Sequence, residues 1–193
     1  GAARRCRRLA VRVMRVIAGS ARGRRLKGPP GEDTRPMMDR VKEALFSSLG
    51  ERVVDARVLD LYAGSGALGI ESLSRGAASV TFVEKGRAAL NTLRANLEAL
   101  DFEGRVVGGD VEAFLAAAAD VFDLVFVDPP YRLSLALVNE VLEGAAALIA
   151  NGGTMVVHRR SGEAAPAAPP GTGLIDDRRY GTTQLWLYRK DES

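Results

Sequence analysis

The sequence predicts an α/β fold: a seven-stranded, mostly parallel sheet with helices on both faces, preceded by a basic β-hairpin. Three observations predict it. From Arg57 onward, short apolar runs alternate with helical stretches, the pattern of strands joined by crossover helices. A glycine-rich turn, Ala63-Gly64-Ser65-Gly66-Ala67-Leu68-Gly69, follows the first of these runs directly. Acidic residues recur at Asp60, Glu84, Asp110 and Asp128, at successive strand ends, on the edge where open parallel sheets bind ligands.

The elements follow in chain order. Residues 11–19 mix alternation with β-branched side chains, Gly19-Ser20-Ala21-Arg22-Gly23 supplies turn chemistry, and Arg24-Arg25-Leu26-Lys27 returns, so residues 11–31 read as a hairpin extension. Beyond Gly28-Pro29-Pro30-Gly31, a helix is marked by Val41, Leu45, Phe46 and Leu49 at helical spacing, and Gly50 ends it. The parallel strands are predicted at residues 58–62, 79–84, 105–108, 122–128 and 153–158, with helices near 68–75, 87–100, 111–119 and 135–150. An Ala-, Pro- and Gly-rich connector at 161–173 reads as a mobile surface loop, and residues 174–178 and 182–188 as closing strands. Residues 32–193 then form one domain, and residues 1–10 a basic tail, read as disordered or as an expression remnant because no initiator Met precedes it.

The chain has 193 residues, enough to bury a core without staples, and its single cysteine, Cys6, excludes an intrachain disulfide. Arg12 and Arg15 interrupt what would be the apolar stretch of a secretory signal, and no long apolar run suggests a membrane span. The expectation is a cytoplasmic protein with no metal site. Net charge is +3 but unevenly placed: residues 1–31 carry ten Arg and Lys and no acid, leaving 17 basic against 24 acidic groups in the rest. A basic arm on an acidic body suits a polyanion such as nucleic acid. Only four of the 27 cations are Lys, a bias that does not by itself remove every acid before Glu32.

The segment Asp128-Pro129-Pro130-Tyr131 carries the most chemistry. A carboxylate and the Pro129 carbonyl can each accept a hydrogen bond from an exocyclic amino group, Tyr131 offers a face for a planar base, and the prolines stiffen the loop. The glycine turn alone is weak evidence, since it also fits the dinucleotide fingerprint G-x-G-x-x-G and thus a nicotinamide enzyme. Glu84 can accept both ribose hydroxyls of an adenosine-containing cofactor and Asp110 an adenine amino group. Singly, each has a bland explanation as a cap, a solvated strand end or a strand stop. The nicotinamide reading leaves the 128–131 loop unexplained and offers only His158 as a histidine acid or base, a residue read here as structural.

With these residues assembled, the chain resembles the RsmD family of bacterial 16S rRNA guanine-N2 methyltransferases, of the Rossmann-like class I S-adenosylmethionine-dependent fold. The resemblance rests on Arg15-Val16-Ile17-Ala18-Gly19 with Arg22-Gly23-Arg24-Arg25-Leu26, on Arg35-Pro36 with Asp39-Arg40-Val41-Lys42-Glu43-Ala44-Leu45-Phe46, on residues 60–69, and on Phe126-Val127-Asp128-Pro129-Pro130-Tyr131. It implies that S-adenosyl-L-methionine binds at Asp60, Tyr62, Ala63, Gly64, Ser65, Gly66, Ala67, Glu84, Lys85, Asp110 and Val111. It implies a target loop at Asp128, Pro129, Pro130 and Tyr131. It assigns substrate contacts to Arg15, Arg22, Arg24, Arg25, Thr34, Arg35, Asp39 and Arg40, with residues 34–40 closing over cofactor and base. The implied partner is 16S rRNA in the small ribosomal subunit, in an assembled particle, and the implied state is a monomer.

Other readings stay open on sequence alone. A DNA amino-methyltransferase acting on adenine N6 or cytosine N4 shares the loop, although no separate domain for reading a duplex is evident. Cytosine C5 methylation fits poorly because Cys6 lies far along the chain from every predicted cofactor loop. A protein glutamine methyltransferase would usually carry Asn in place of Asp128. A catalytically silent RNA-binding protein could keep the fold as scaffold.

Overall fold

The structure, a computed structural model, describes residues 14–28, 37 and 39–192. In chain order the hairpin strands β1 (Met14–Arg15) and β2 (Arg25–Leu26) precede helix α1 (Asp39–Leu49) and a 3-10 turn (Gly50–Val53). The body continues with β3 (Arg57–Leu61), α2 (Ala67–Ser74), β4 (Ser79–Glu84), α3 (Arg87–Leu100), β5 (Arg105–Gly108), α4 (Val111–Ala117), β6 (Phe122–Val127), α5 (Leu135–Ala147), β7 (Ile149–Arg160), β8 (Thr172–Tyr180) and β9 (Thr183–Lys190). The sheet order is β5-β4-β3-β6-β7-β9-β8, with β9 antiparallel to both neighbours and the other described pairings parallel. The strand order reverses between β3 and β6, the switch point at which such sheets open a crevice.

Strand periodicity sorts the core into two layers. Val58, Val80, Phe82, Leu124, Phe126 and Val156 face α1, α2, α3 and the hairpin. The intervening Leu59, Leu61, Val83, Val125, Val127, Met155 and Val157 face α4 and α5. Gly69, on α2, permits close helix–sheet packing, because a Cβ there would stand 2.2 Å from the Phe82 ring.

The seven-stranded sheet and the short hairpin match the expected fold, but some boundaries differ. α5 stops at Ala147, not near residue 150, and β7 begins at Ile149, because the Leu148 carbonyl takes the Phe122 N–H and draws the chain into the sheet. Asn151 and Gly152, which fall between the predicted helix and the strand predicted from residue 153, lie within this twelve-residue strand where the β6 pairing shifts register. β8 spans nine residues, four more than the predicted 174–178, because a tight turn at Gly181 (φ +59°) sets Tyr180 opposite Thr183 and zips the pair together. The 161–173 connector, expected to be mobile, is tied down: Tyr188 Oη donates to the Pro166 carbonyl at 2.7 Å and Ala167 N–H to Asn139 Oδ1 at 3.1 Å. The expected hairpin start at residues 11–13, the 1–10 tail, Thr34 and Arg35 lie outside the described residues.

Candidate active site

The loop after β3 is shaped mainly by main-chain hydrogen bonds. Gly64 (φ +57°) and Gly66 (φ +85°) take left-handed conformations. A Cβ on Gly66 would lie 2.3 Å from Leu93 Cδ1, whereas one on Gly64 would meet nothing closer than 4.0 Å, so backbone is bare on the Gly64 side. Tyr62 is also left-handed (φ +60°), its hydroxyl reaching Glu112 Oε1 at 3.3 Å. Burial, helped by the Glu112 charge, holds the Tyr62 phenol above its usual pKa. Ala63 N–H bonds the Val83 carbonyl and Gly66 N–H the Ala63 carbonyl, closing the turn that leads through Ser65 to Ala67.

Glu84 at the end of β4 has a structural duty that sequence reading missed. Oε2 accepts Gly64 N–H at 2.8 Å and Oε1 accepts Gly86 N–H at 2.6 Å, so this carboxylate sets the loop's shape. Each oxygen keeps a second lone pair for a hydroxyl. Asp60 is buried: Oδ2 accepts Gly69 N–H at 2.9 Å, anchoring the start of α2 behind the loop. Burial pushes its carboxyl up to about 7, Gly69 pulls the other way, and the Asp128 and Glu84 charges add to the rise. Asp110, just before α4, pairs with Lys85 at 2.9 Å, both side chains well exposed, while Val111 is buried in the core. The bare Gly64 backbone, the Glu84 acceptors and the exposed Asp110 fit a ligand with a charged end, a diol and a flat amino-bearing ring, as S-adenosylmethionine has.

The second loop leaves β6, the neighbour of β3. Asp128 is a third exposed, and its Oδ1 lies 2.6 Å from Nδ1 of His158, a residue of β7 with 3% exposure. His158, read from sequence as merely structural, is thus joined to the loop's acidic residue. Burial alone would lower the imidazole's pKa, but the Asp128 charge and hydrogen bond outweigh it and raise it overall. Arg159 donates to the Pro130 carbonyl at 3.2 Å and the Leu133 carbonyl at 2.9 Å, and pairs with Glu163. The Arg160 guanidinium sits 5.1 Å over the Tyr131 ring. Burial and the Asp128 charge raise the Tyr131 pKa, so its ring is uncharged near neutrality. The Pro129 carbonyl accepts no hydrogen bond from the described residues.

His158, Arg159 and Arg160 thus form a clamp that local sequence reading missed. The signal lay in the parallel register: Val127 pairs with Val157, so Asp128 and His158 each follow a paired residue. An open hollow lined by Ser79, Thr81, Glu103 and Arg105 lies at the opposite, amino edge of the sheet and holds none of these groups.

The hairpin docks through one helix. Glu71, fully buried on α2, accepts Ile17 N–H at 2.8 Å and Ala18 N–H at 3.0 Å, and pairs with Lys42 at 3.1 Å and Arg75 at 2.8 Å. These donors offset the cost of burying the charge. Lys42 also donates to the Arg15 carbonyl. Gly19 is mandatory, since a Cβ there would fall 1.7 Å from the Ser74 carbonyl oxygen. Asn96 on α3 bonds both Lys27 main-chain groups and the Ser65 carbonyl, linking the hairpin to the glycine turn after β3.

Met14, Val16 and Leu26 face the core, and Arg15, Arg22, Arg24 and Arg25 face outward. Arg15 stands directly opposite Arg25, a like-charge pair that Asp39, on the first turn of α1, partly offsets by bonding Arg15 Nε at 2.9 Å. Arg24 also caps the Ala99 carbonyl, and Arg40 is exposed near the start of α1.

Known proteins share this fold. The chain is 37% identical to ribosomal RNA small subunit methyltransferase D of Escherichia coli K12 over 92% of its length and 90% of that protein. The solved Escherichia coli protein yhhF superimposes with a TM-score of 0.84 at 36% identity, covering 94% of this chain and 99% of that one. A hypothetical protein of Thermus thermophilus does so with a TM-score of 0.79 at 35% identity, covering 91% and 98%. Residues 14–189 match the family described as conserved hypothetical protein 95, and the chain belongs to that family, the RsmD family whose motifs it carries.

Proposed function

We propose that the protein is an S-adenosylmethionine-dependent methyltransferase that methylates the exocyclic N2 of a guanine in 16S rRNA, within the small ribosomal subunit. One observation carries this reading: the acceptor-and-ring loop at Asp128–Tyr131 leaves the strand next to the cofactor loop, across the switch point of the sheet. The relative named ribosomal RNA small subunit methyltransferase D, similar over nearly its whole length, supports the substrate class. The outward arginines of the docked hairpin supply the surface for RNA phosphates. The protein acts as a cytoplasmic monomer on an assembled particle.

When bound, S-adenosylmethionine supplies an electrophilic methyl group on a sulfonium. The chain's part is mostly positioning. Asp128 and the Pro129 carbonyl accept the two hydrogens of the guanine amino group, which draws its nitrogen out of conjugation and directs the lone pair toward the cofactor side. Tyr131 holds the base flat against its ring, so the base must leave its stack to react. The methylated nitrogen becomes acidic, and the Asp128 carboxylate, a third exposed, receives its proton and passes it to water.

The test is tritium transfer from labelled cofactor to small subunits lacking the modification, beside naked 16S rRNA, duplex DNA and protein, followed by nucleoside analysis. N2-methylguanosine formed on subunits is the expected result. Label confined to DNA would overturn the substrate and keep the chemistry.

A further inference from the structure

We propose that His158 is a positioning residue for methyl transfer, its Nδ1–H holding Asp128 Oδ1 so that the carboxylate is fixed for the target amino group. This rests on the reading of Asp128 as the acceptor. Nδ1 and Oδ1 are 2.6 Å apart. An ionised carboxylate can only accept, so Nδ1 must carry the proton in either charge state of the ring. The same imidazole meets the Tyr131 ring edge-on, with centroids 6.0 Å apart and planes at 69°. One buried side chain therefore touches both the acceptor and the stacking platform of the target loop.

The other ring nitrogen argues against a purely structural role. Nε2 is buried and has no hydrogen-bond partner among the described residues. A buried polar atom without a partner costs stability, so an apolar ring would suit this position better if packing were its only task. Asp128 reaches solvent and would not be stranded by losing the imidazole. Thr154 Oγ1 and Trp186 Nε1 share this status, so what sets position 158 apart is the contact of its ring with both Asp128 and Tyr131.

His158 is the only histidine in the chain, which gives a direct test. Untagged protein labelled with 15N-histidine yields a single imidazole spectrum. The expected result is a protonated Nδ1 whose signal moves in Asp128→Asn; an Nε2–H tautomer, or no change in that variant, would overturn the proposal whatever the substrate proves to be. Single-turnover transfer supplies the functional arm, on whichever substrate the wild-type protein labels. His158→Phe should slow transfer about 30-fold, the worth of one hydrogen bond to a charged group, with cofactor affinity unchanged and thermal stability equal or higher. His158→Asn keeps a donor near Nδ1 and should recover most of the rate. Adding His158→Phe to Asp128→Ala should slow it no further, since both act through one contact.

Wild-type rate in His158→Phe, or loss of rate and stability together in both variants, would sink the positioning role. Absence of N2-methylguanosine from the wild-type reaction would sink the substrate reading alone.

Discussion

The two loops at the carboxyl edge of the sheet lie on neighbouring strands and are built by opposite means. The 63–66 turn is held largely by backbone: glycine dihedrals, main-chain hydrogen bonds and N–H groups received by Glu84. The 128–131 loop is held by side chains reaching from β7: His158 on Asp128, Arg159 on Pro130 and Arg160 on Tyr131. Apart from Glu84 and Asn96, whose side chains bond its main chain, a loop of the first kind keeps its shape through most side-chain substitutions but is intolerant at its glycines. A loop of the second kind places charged and aromatic groups with care, yet depends on residues about 30 positions away. The first suits holding a ligand through main-chain contacts, the second suits aligning a reacting group.

The sharpest way to break this division is Asp128→Ala. Transfer should fall by about a thousandfold or more while cofactor affinity stays within a few-fold, checked by single-turnover kinetics and calorimetry. Loss of both together would mean that the two loops are one unit. Gly66→Ala probes the other side. A Cβ 2.3 Å from Leu93, on a left-handed backbone, should cost about 1–3 kcal/mol, lower the melting temperature and weaken cofactor binding about tenfold. Transfer at saturating cofactor should remain near wild type.

A third change should leave both loops alone. Arg22→Gln with Arg25→Gln alters outward side chains that bond nothing among the described residues, unlike Arg24. Affinity for the ribosomal substrate should fall, and the slope of log K against log salt should flatten by about 1.5 to 2 units, read from filter binding across a salt series. Cofactor affinity should not move.

The last change is read in stability rather than transfer and concerns Asp60. Its folded carboxyl titrates at about 7, above the ordinary 3.8, so it holds its proton in the folded chain after the unfolded chain has released it. This group's contribution to stability is full below pH ~4, declines as pH rises toward 7, and is level above that. Asp60→Asn should remove that decline, visible in denaturant midpoints across the range. An unchanged profile would show that Asp60 ionises normally.

The division also explains what the sequence reveals. Gly64 and Gly66 act on their own dihedrals, and Asp128 to Tyr131 are contiguous, so both loops can be located from local motifs. The strands β4 and β5 and helix α3 have the predicted bounds because their periodicities are uninterrupted. The clamp is less legible. It exists only once β6 and β7 are paired in a specific register, which no local pattern around His158 encodes. Glu71 illustrates the same limit: an acid amid Ile70, Ser72 and Leu73 gives no sign in sequence that it receives the hairpin's main-chain N–H groups from 53 and 54 positions away.

That buried carboxylate also bears on the rate of encounter with RNA. By fixing residues 17 and 18 and drawing in Lys42 and Arg75, Glu71 makes this part of the basic extension a rigid face before any RNA arrives. Little ordering is left for association, and the arginines act as a fixed dipole end on a body of opposite charge. A polyanion drawn to one end and repelled by the other turns the protein as it approaches, so on the proposed reading the hairpin is a compass as well as a grip.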